Sequence, residues 1–279
     1  MIHRQFVPGS EWLYLKIYTG IKTADAILEE GIQPLVAYFQ KEHFISQWFF
    51  IRYHDPKSHL RLRFRITDSR HYNEILNKLN TVLQDYINSG EIADIVIDVY
   101  KRELERYGQH TMESAEKLFC IHSEFTLRCL DYNDDEKIMV SLFYFDELLN
   151  TINISVQEKL NWAKDSNEAF KREFNADKRL NSQLDKKYRE FKIKYLDFIR
   201  SEEFSEERNA IISNINECNE ALQHVVLNLS DSLELSPQRF FQSIFHMHIN
   251  RIFISNQRLF EMVIYDFLMR YYKTIAYHA

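Results

Sequence analysis

The stretch His59-Leu60-Arg61-Leu62-Arg63-Phe64-Arg65-Ile66 alternates strictly between polar and apolar residues, and this alternation decides the fold of the first half of the chain. In a β-strand successive side chains point to opposite faces. Leu60, Leu62, Phe64 and Ile66 therefore face a core, while His59, Arg61, Arg63 and Arg65 form one basic row. Neighbours along such a row lie only about 7 Å apart, so the guanidiniums repel one another unless solvent or an anion answers them. Arginine grips carboxylates with a bidentate fork. The row reads either as an anion site on a rigid strand or as the solvated outer face of an antiparallel sheet.

Working outward, Asp55-Pro56-Lys57-Ser58 is turn-forming and joins this strand to a second over residues 47–53, which predicts an antiparallel hairpin. Residues 12–18 alternate and are rich in strand formers, and residues 95–100 are a fourth strand candidate. Between the strands, the pattern predicts a helix over 23–30, with Thr23 as N-cap and Gly31 just past its end. Further helices are expected over 34–41 and over 70–88, the latter closed by Gly90. From Thr111 onward the periodicity is helical: 111–128, 137–151, 158–200, 205–229, 236–254 and 257–275. Ser236-Pro237 is a helix start, with serine capping and proline at the first position. The charged run over 164–194 reads as an exposed helix with paired opposite charges. The expected fold is α+β, a mainly antiparallel sheet formed early and packed against a largely helical second half. No repeat or linker divides it, so residues 1–279 read as a single domain.

The bulk composition narrows the function. With 279 residues and 45% hydrophobic content the chain can bury a substantial core. Only 5 Gly and 4 Pro argue for long helices with few tight turns. A net charge of -6 without a long basic block argues against nucleic acid as a direct partner. Cys120, Cys129 and Cys218 have neither metal-ligand spacing nor an even count. With no signal peptide and no apolar run near the ~20 residues of a membrane span, the expected setting is cytoplasmic.

Two further constellations could carry chemistry. Tyr100-Lys101-Arg102-Glu103-Leu104-Glu105-Arg106-Tyr107-Gly108 ends at a scarce glycine, which marks a bend that presents Arg106 and Tyr107; Glu103 and Glu105 could pair with the arginine row. In Phe245-His246-Met247-His248-Ile249-Asn250-Arg251, helical spacing puts His248 and Arg251 inside an apolar arc and His246 and Asn250 on the polar side. A cation on an apolar face is unfavourable unless paired, so His248 and Arg251 ask for an explanation. His246 and His248 at i, i+2 lack the i, i+4 spacing of helical zinc sites, and no metal is expected. A glycine-rich phosphate loop, a nucleophile elbow and a dinucleotide fingerprint are all absent from the sequence.

Five motifs occur in order: residues 12–18, 48–56, His59-Leu60-Arg61-Leu62-Arg63-Phe64, the segment from Tyr100 to Gly108, and His246-Met247-His248-Ile249-Asn250-Arg251. On them the chain resembles the C-terminal domain of LanB-type lantibiotic dehydratases, also called the thiopeptide-type bacteriocin biosynthesis domain. The resemblance spans the chain from about residue 10 to the final helix. It implies a lyase that eliminates glutamate from glutamylated Ser or Thr of a ribosomal precursor peptide, leaving dehydroalanine or dehydrobutyrine. It implies no cofactor, and it implies a separate subunit that transfers glutamate from glutamyl-tRNA; a homodimer is compatible. Arg61, Arg63 and Arg106 would hold the glutamyl group. His246 or His248 would act as acid or base: the apolar arc favours His248, the motif's leading position His246. His59, Arg52, Tyr107, Asn250 and Arg251 would contact substrate. Alternatives within the resemblance are a pyridine synthase joining two dehydroalanines, or a non-catalytic peptide-binding subunit. The family usually shows a second glycine after Gly108; here Gln109-His110 follows, which would reshape the pocket mouth.

Overall fold

A computed structural model describes residues 3–229, 232 and 234–278. Its contacts divide the chain into two compact units, residues 1–131 with 227–255, and residues 132–226 with 256–279.

The first unit is built on the predicted hairpin. Strands β1 (Gln5–Phe6), β2 (Trp12–Thr19), β3 (Ile45–His54), β4 (Ser58–Ile66), β5 (Ile92–Asp98) and β6 (Tyr100–Lys101) form two antiparallel sheets, one ordered β3-β4-β2-β5 and one pairing β1 with β6. The expected fourth strand is thus two strands, which part at Val99, whose N–H is taken by the Asp98 side chain at 2.7 Å. The alternation in β4 sorts its side chains as expected. Leu60, Leu62 and Phe64 are at most 1% exposed and join Leu13, Leu15, Ile17, Trp48 and Phe50 in one core. Each such large apolar side chain contributes roughly 1.5–3 kcal/mol.

Helices α1 (Thr23–Ala26), α2 (Gln33–Lys41) and α3 (Tyr72–Asn88) cover that face. Two expectations fail here. Lys22, not Thr23, is the N-cap, and it makes no side-chain cap bond. Gly31 does not stop the helix, because the backbone there stays out of the left-handed region; a π-helical segment, Ile27–Ile32, carries the chain straight into α2. By contrast Gly90, at φ 82°, does close α3.

The strand β3 is a sheet edge, and an open edge invites unwanted pairing. Here two helices close it, α5 (Met112–Leu127) and α11 (Pro237–Ile252), the short α4 (Leu104–Tyr107) preceding α5. The Phe50 N–H donates to Ser123 Oγ at 3.2 Å, and the Phe50 carbonyl accepts from Arg251 Nε at 2.7 Å. Arg52 Nε returns the bond to the Arg251 carbonyl, also at 2.7 Å. This exchange explains why Arg251 sits in an apolar arc: it satisfies an edge carbonyl. As expected, α11 starts with Ser236 accepting from the Arg239 N–H and Pro237 at the first position.

The second unit is helical: α6 (Asp134–Thr151), α7 (Val156–Glu173), α8 (Lys178–Arg200), α9 (Ser205–Asn216), most of α10 (Asn219–Leu229) and α12 (Gln257–His278). Capping boxes open α6 at Asn133/Glu136 and α7 at Ser155/Glu158. The single helix expected over 158–200 is broken. Asn175 takes φ 47°, which asparagine tolerates better than most residues, and Asp177 caps the next helix by accepting from the Leu180 N–H at 2.8 Å. The run over 205–229 likewise divides, at Glu217-Cys218. Lys159, 2% exposed, is neutralised by Asp146 at 2.6 Å. No helix among the described residues is long and apolar enough to cross a membrane.

Candidate active site

The second face of the main sheet carries the basic row, and it is not an open solvated surface. Cross-strand register aligns Tyr14, Arg63 and Phe49 in one line and Lys16, Arg61 and Ile51 in the next. Trp12, Tyr14, Phe49 and Ile51 on this face are at most 7% exposed. The β1–β6 pair covers part of it, with Tyr100 stacked on Phe6 at 5.8 Å and edge-on to Trp12 at 5.2 Å. Arg63 lies in an aromatic cradle, its guanidinium 4.3 Å from the Tyr14 ring centre, 4.9 Å from Tyr100 and 5.2 Å from Phe49. Arg61 sits 3.4 Å from the centre of the Tyr53 ring. Such contacts stabilise a cation by about 0.5–2 kcal/mol and leave its N–H groups available to a ligand.

The row is only partly neutralised by the protein. Arg65 meets Glu11 at 3.5 Å. Lys16 pairs with Asp98, which holds the Asp98 carboxyl below the usual carboxylate range. Neither Arg61 nor Arg63 forms an ion pair among the described residues, and the buried Arg63 Nε has no hydrogen-bond acceptor there. The expected help from Glu103 and Glu105 goes elsewhere: Glu103 pairs with Arg106 at 3.1 Å and Glu105 with Arg4.

These arginines open onto a cavity of about 280 Å³. Of the candidates named from the sequence, Arg61, Arg63, Arg106, Tyr107, His246, Asn250 and Arg251 line it, so β4, α4 and α11 converge on one space. His246 is one helical turn from Asn250, with Nε2 3.0 Å from the Asn250 amide nitrogen; an amide that donates here leaves Nε2 as the acceptor. Phe49, Ile51, Tyr53, Tyr100, Met112, Phe119 and Met247 supply the apolar walls.

Three candidates lie outside the cavity. Arg52 is on the opposite face of the sheet, paired with Asp25 at 2.5 Å. His59 stands behind Arg61. Its Nδ1–H donates to the Lys57 carbonyl at 2.8 Å and its Nε2 accepts from Arg61 Nε at 3.1 Å, an arrangement that requires the neutral ring. Burial, then the Arg61 and Lys16 charges, push its pKa down against the opposing Lys57 bond and Asp55. His248 is in the core, fully buried, edge-on to His122 at 5.3 Å and stacked on Phe125 at 6.0 Å. His248 lies on the part of α11 that packs on α5, whereas His246 and Asn250, on the polar side, reach the ligand space together with Met247 and Arg251.

Burial, reinforced by Arg251, pushes His248 down to about 3, and burial with His248 and Arg251 holds His122 well below its ordinary value. Both rings stay neutral in the folded state, while an unfolded histidine takes up a proton near pH 6.5. Their contribution to stability is therefore complete above about pH 6.5 and is lost as pH falls toward 3. Each ring steepens the loss by up to ~1.4 kcal/mol per pH unit. Chemical denaturation at pH 7, 6 and 5 should show stability declining over that range, and a His248→Met variant should show a shallower decline. An equal slope in both proteins would refute the assignment.

Residues that the sequence reading passed over hold the site in shape. Arg102 and Glu116 are at most 2% exposed and form a bidentate pair at 2.7 and 2.6 Å, and Tyr100 donates its hydroxyl to the same carboxylate at 2.7 Å. This fastens the segment from Tyr100 to Tyr107 onto α5. Gly108 then turns the chain at φ 76°, where a Cβ would stand 2.5 Å from Thr111 Oγ1. Gln109 and His110, which follow Gly108 and were expected to reshape the pocket mouth, are exposed and do not line the cavity. Among the described residues no group of three or more His, Cys, Asp or Glu is placed to hold a metal ion.

Comparison with known proteins adds to this geometry. The sequence model of the family described as lantibiotic biosynthesis dehydratase C-term matches residues 12–272. The nisin biosynthesis protein NisB of Lactococcus lactis subsp. lactis is 32% identical over 179 residues, covering 56% of this chain and 17% of that protein. The matched part is thus a small fraction of the relative's length. Among solved structures, the tRNA-dependent lantibiotic dehydratase MibB of Microbispora sp. 107891 superposes with a TM-score of 0.73 at 18% identity, covering 100% of this chain and 29% of MibB. TbtD, a pyridine synthase from thiomuracin biosynthesis, gives 0.62 at 12% identity, covering 96% of this chain and 99% of TbtD. At these identities the superpositions show a shared fold.

Proposed function

Because this chain belongs to the family of lantibiotic dehydratase C-terminal domains, we propose that it eliminates glutamate from glutamylated Ser or Thr of a ribosomal precursor peptide. It would do so as a stand-alone lyase, served by a separate subunit that attaches the glutamate from glutamyl-tRNA. The observation that carries this reading is the convergence of Arg61, Arg63 and Arg106 with His246 on one cavity. The match to one family across both units supports treating residues 1–279 as a single functional domain.

The reaction explains why those side-chain types stand together. A base removes the α-proton of the esterified residue, and the electron pair moves onto the adjacent peptide carbonyl as an enolate. The enolate then collapses into a Cα=Cβ double bond as the Cβ–O bond breaks, and glutamate departs with that oxygen as a carboxylate. The α-proton is weakly acidic, so the base must be held close while donors stabilise the enolate. His246 is the base that the cavity offers, its Nε2 exchanging the Asn250 hydrogen bond for the α-proton, and arginine forks suit the free glutamyl carboxylate and the leaving group.

The cycloaddition reading draws on the near-complete mutual coverage with TbtD. Two features favour elimination over it. The cavity of about 280 Å³ is near the lower limit of ligand pockets, roughly 300–1,000 Å³; that suits one glutamyl ester better than two dehydrated residues aligned for ring closure. The arginines left without ion pairs also match a substrate that carries carboxylates.

The test offers the purified chain a glutamylated precursor peptide and, separately, a dehydrated one, each followed by mass spectrometry. Release of glutamate with gain of an alkene is expected from the first. No release from the first together with ring closure on the second would replace elimination by cycloaddition. In the same assay His246→Gln should lower turnover by about 10²–10⁴-fold, whereas His248→Met should lower stability and leave turnover of the folded protein in place. Loss of turnover in His248→Met with retention in His246→Gln would reverse the assignment of the two histidines.

A further inference from the structure

Tyr107 is 3% exposed and lines the cavity, yet its buried hydroxyl finds no acceptor for its proton among the described residues. Its ring is wedged edge-on between Phe119 at 5.1 Å and Phe240 at 6.1 Å, so the hydroxyl has little freedom to swing toward water. The charged groups that act on it give its proton no home. Arg106, which acts on the hydroxyl oxygen as a hydrogen-bond donor, and Arg251 carry no acceptor, and the Glu103 carboxylate is engaged by Arg106 at 3.1 Å. A buried hydroxyl whose proton has no acceptor is destabilising. Tyr107 shares this condition with Arg63 Nε, a second buried donor on the same cavity that lacks an acceptor. The lining of the site therefore holds at least two buried donors for which the described residues supply no acceptor.

We infer that Tyr107 is a catalytic residue, donating its O–H hydrogen bond to the substrate oxygen on which negative charge grows when the α-proton leaves. This rests on the elimination reading and deepens it by dividing the donors between two tasks. The guanidiniums are permanently charged and suit the glutamyl carboxylate that is free throughout and the second carboxylate that forms as the Cβ–O bond breaks. The phenol is a neutral donor, and burial keeps it protonated by raising its pKa well above the ordinary value. A neutral donor gains most when its acceptor becomes charged, so its bond strengthens in the transition state more than in the bound ester. Tyr107 transfers no proton: the electron pair released by the C–H bond passes through the enolate oxygen into the new double bond, His246 takes and keeps the α-proton, and Tyr107 holds the oxygen throughout.

The experiment compares Tyr107→Phe with the unsubstituted chain on a glutamylated peptide, with kcat and KM for glutamate release and thermal unfolding of both proteins. The substitution removes one oxygen and no ring packing. The expected result is a kcat lower by about 10²–10³-fold, an unchanged KM, and an unfolding temperature that is equal or higher, since an unsatisfied buried hydroxyl has been deleted. A purely structural tyrosine would show the opposite pattern, lower stability with kcat intact, and that result overturns the inference. A raised KM with unchanged kcat also overturns it, because the hydroxyl would then act in ground-state binding. If the unsubstituted chain itself releases no glutamate, the elimination reading fails and the substrate named here fails with it; if it does release glutamate while Tyr107→Phe matches it, only the role of Tyr107 is lost.

Discussion

Arg63→Ala is expected to lower glutamate release by at least about 10²–10³-fold, the effect of deleting one preorganised donor at a developing anion. The fold should survive, because Arg63 points away from the core that Leu62 and Phe64 enter and because its own contacts are the faces of Tyr14, Tyr100 and Phe49. Losing those contacts should reduce stability by only about 0.5–2 kcal/mol. Arg63→Lys is the informative companion. It restores the positive charge but neither the planar fork nor the stacking in the cradle, so it should recover little of the lost rate. Turnover in Arg63→Ala equal to that of the unsubstituted chain would remove the basic row from the site.

The second large effect is on stability. Glu116→Ala takes from the buried Arg102 guanidinium its bidentate partner, leaving it only the exposed Glu113 at 3.7 Å and the His3 carbonyl at 3.1 Å, and it strips the Tyr100 hydroxyl of its acceptor. Breaking a buried pair in this way is destabilising by about 3–5 kcal/mol, a large part of the 5–15 kcal/mol typical of a folded protein. Activity should fall as well, because Tyr100 is one wall of the Arg63 cradle. The double variant Arg102→Met with Glu116→Leu removes both charges at once and should regain much of the lost stability. Urea titrations of the single and double variants decide the matter. A single variant within about 1 kcal/mol of the parent would mean that water reaches the pair, and that the burial argument is wrong.

The parts of this protein that depend on local periodicity could be read directly. The two-residue repeat of β4 separated Leu62 and Phe64 from Arg61 and Arg63, because a pleated strand leaves its side chains no other choice. Serine and proline at the head of α11 marked a helix start for an equally local reason. Where a local signal had two readings, error followed. Gly31 could stop a helix or pass through it, and the backbone chose to continue as a π segment. Asn175 and Asp177 carried a break and a cap that the surrounding charge pattern concealed. Nothing local in Lys101-Arg102-Glu103 marks Arg102 as buried, since its partner Glu116 lies 14 residues away on another element.

The histidines show where local reasoning ends. Helical geometry correctly sorted His248 into the apolar arc and His246 out of it, but it could not say which surface faced the ligand. That depended on α11 docking against the edge strand β3, where Arg251 caps the Phe50 carbonyl. From the sequence alone come the two faces of the sheet, the basic row and the membership of a family, because each is written in the order of neighbouring residues. The tertiary structure alone decides that Arg61, Arg63, Arg106, Tyr107 and His246 share one cavity, and that two of its donors wait without acceptors. Convergence of that kind is set by packing and edge hydrogen bonds between segments far apart in the chain, and no local pattern encodes it.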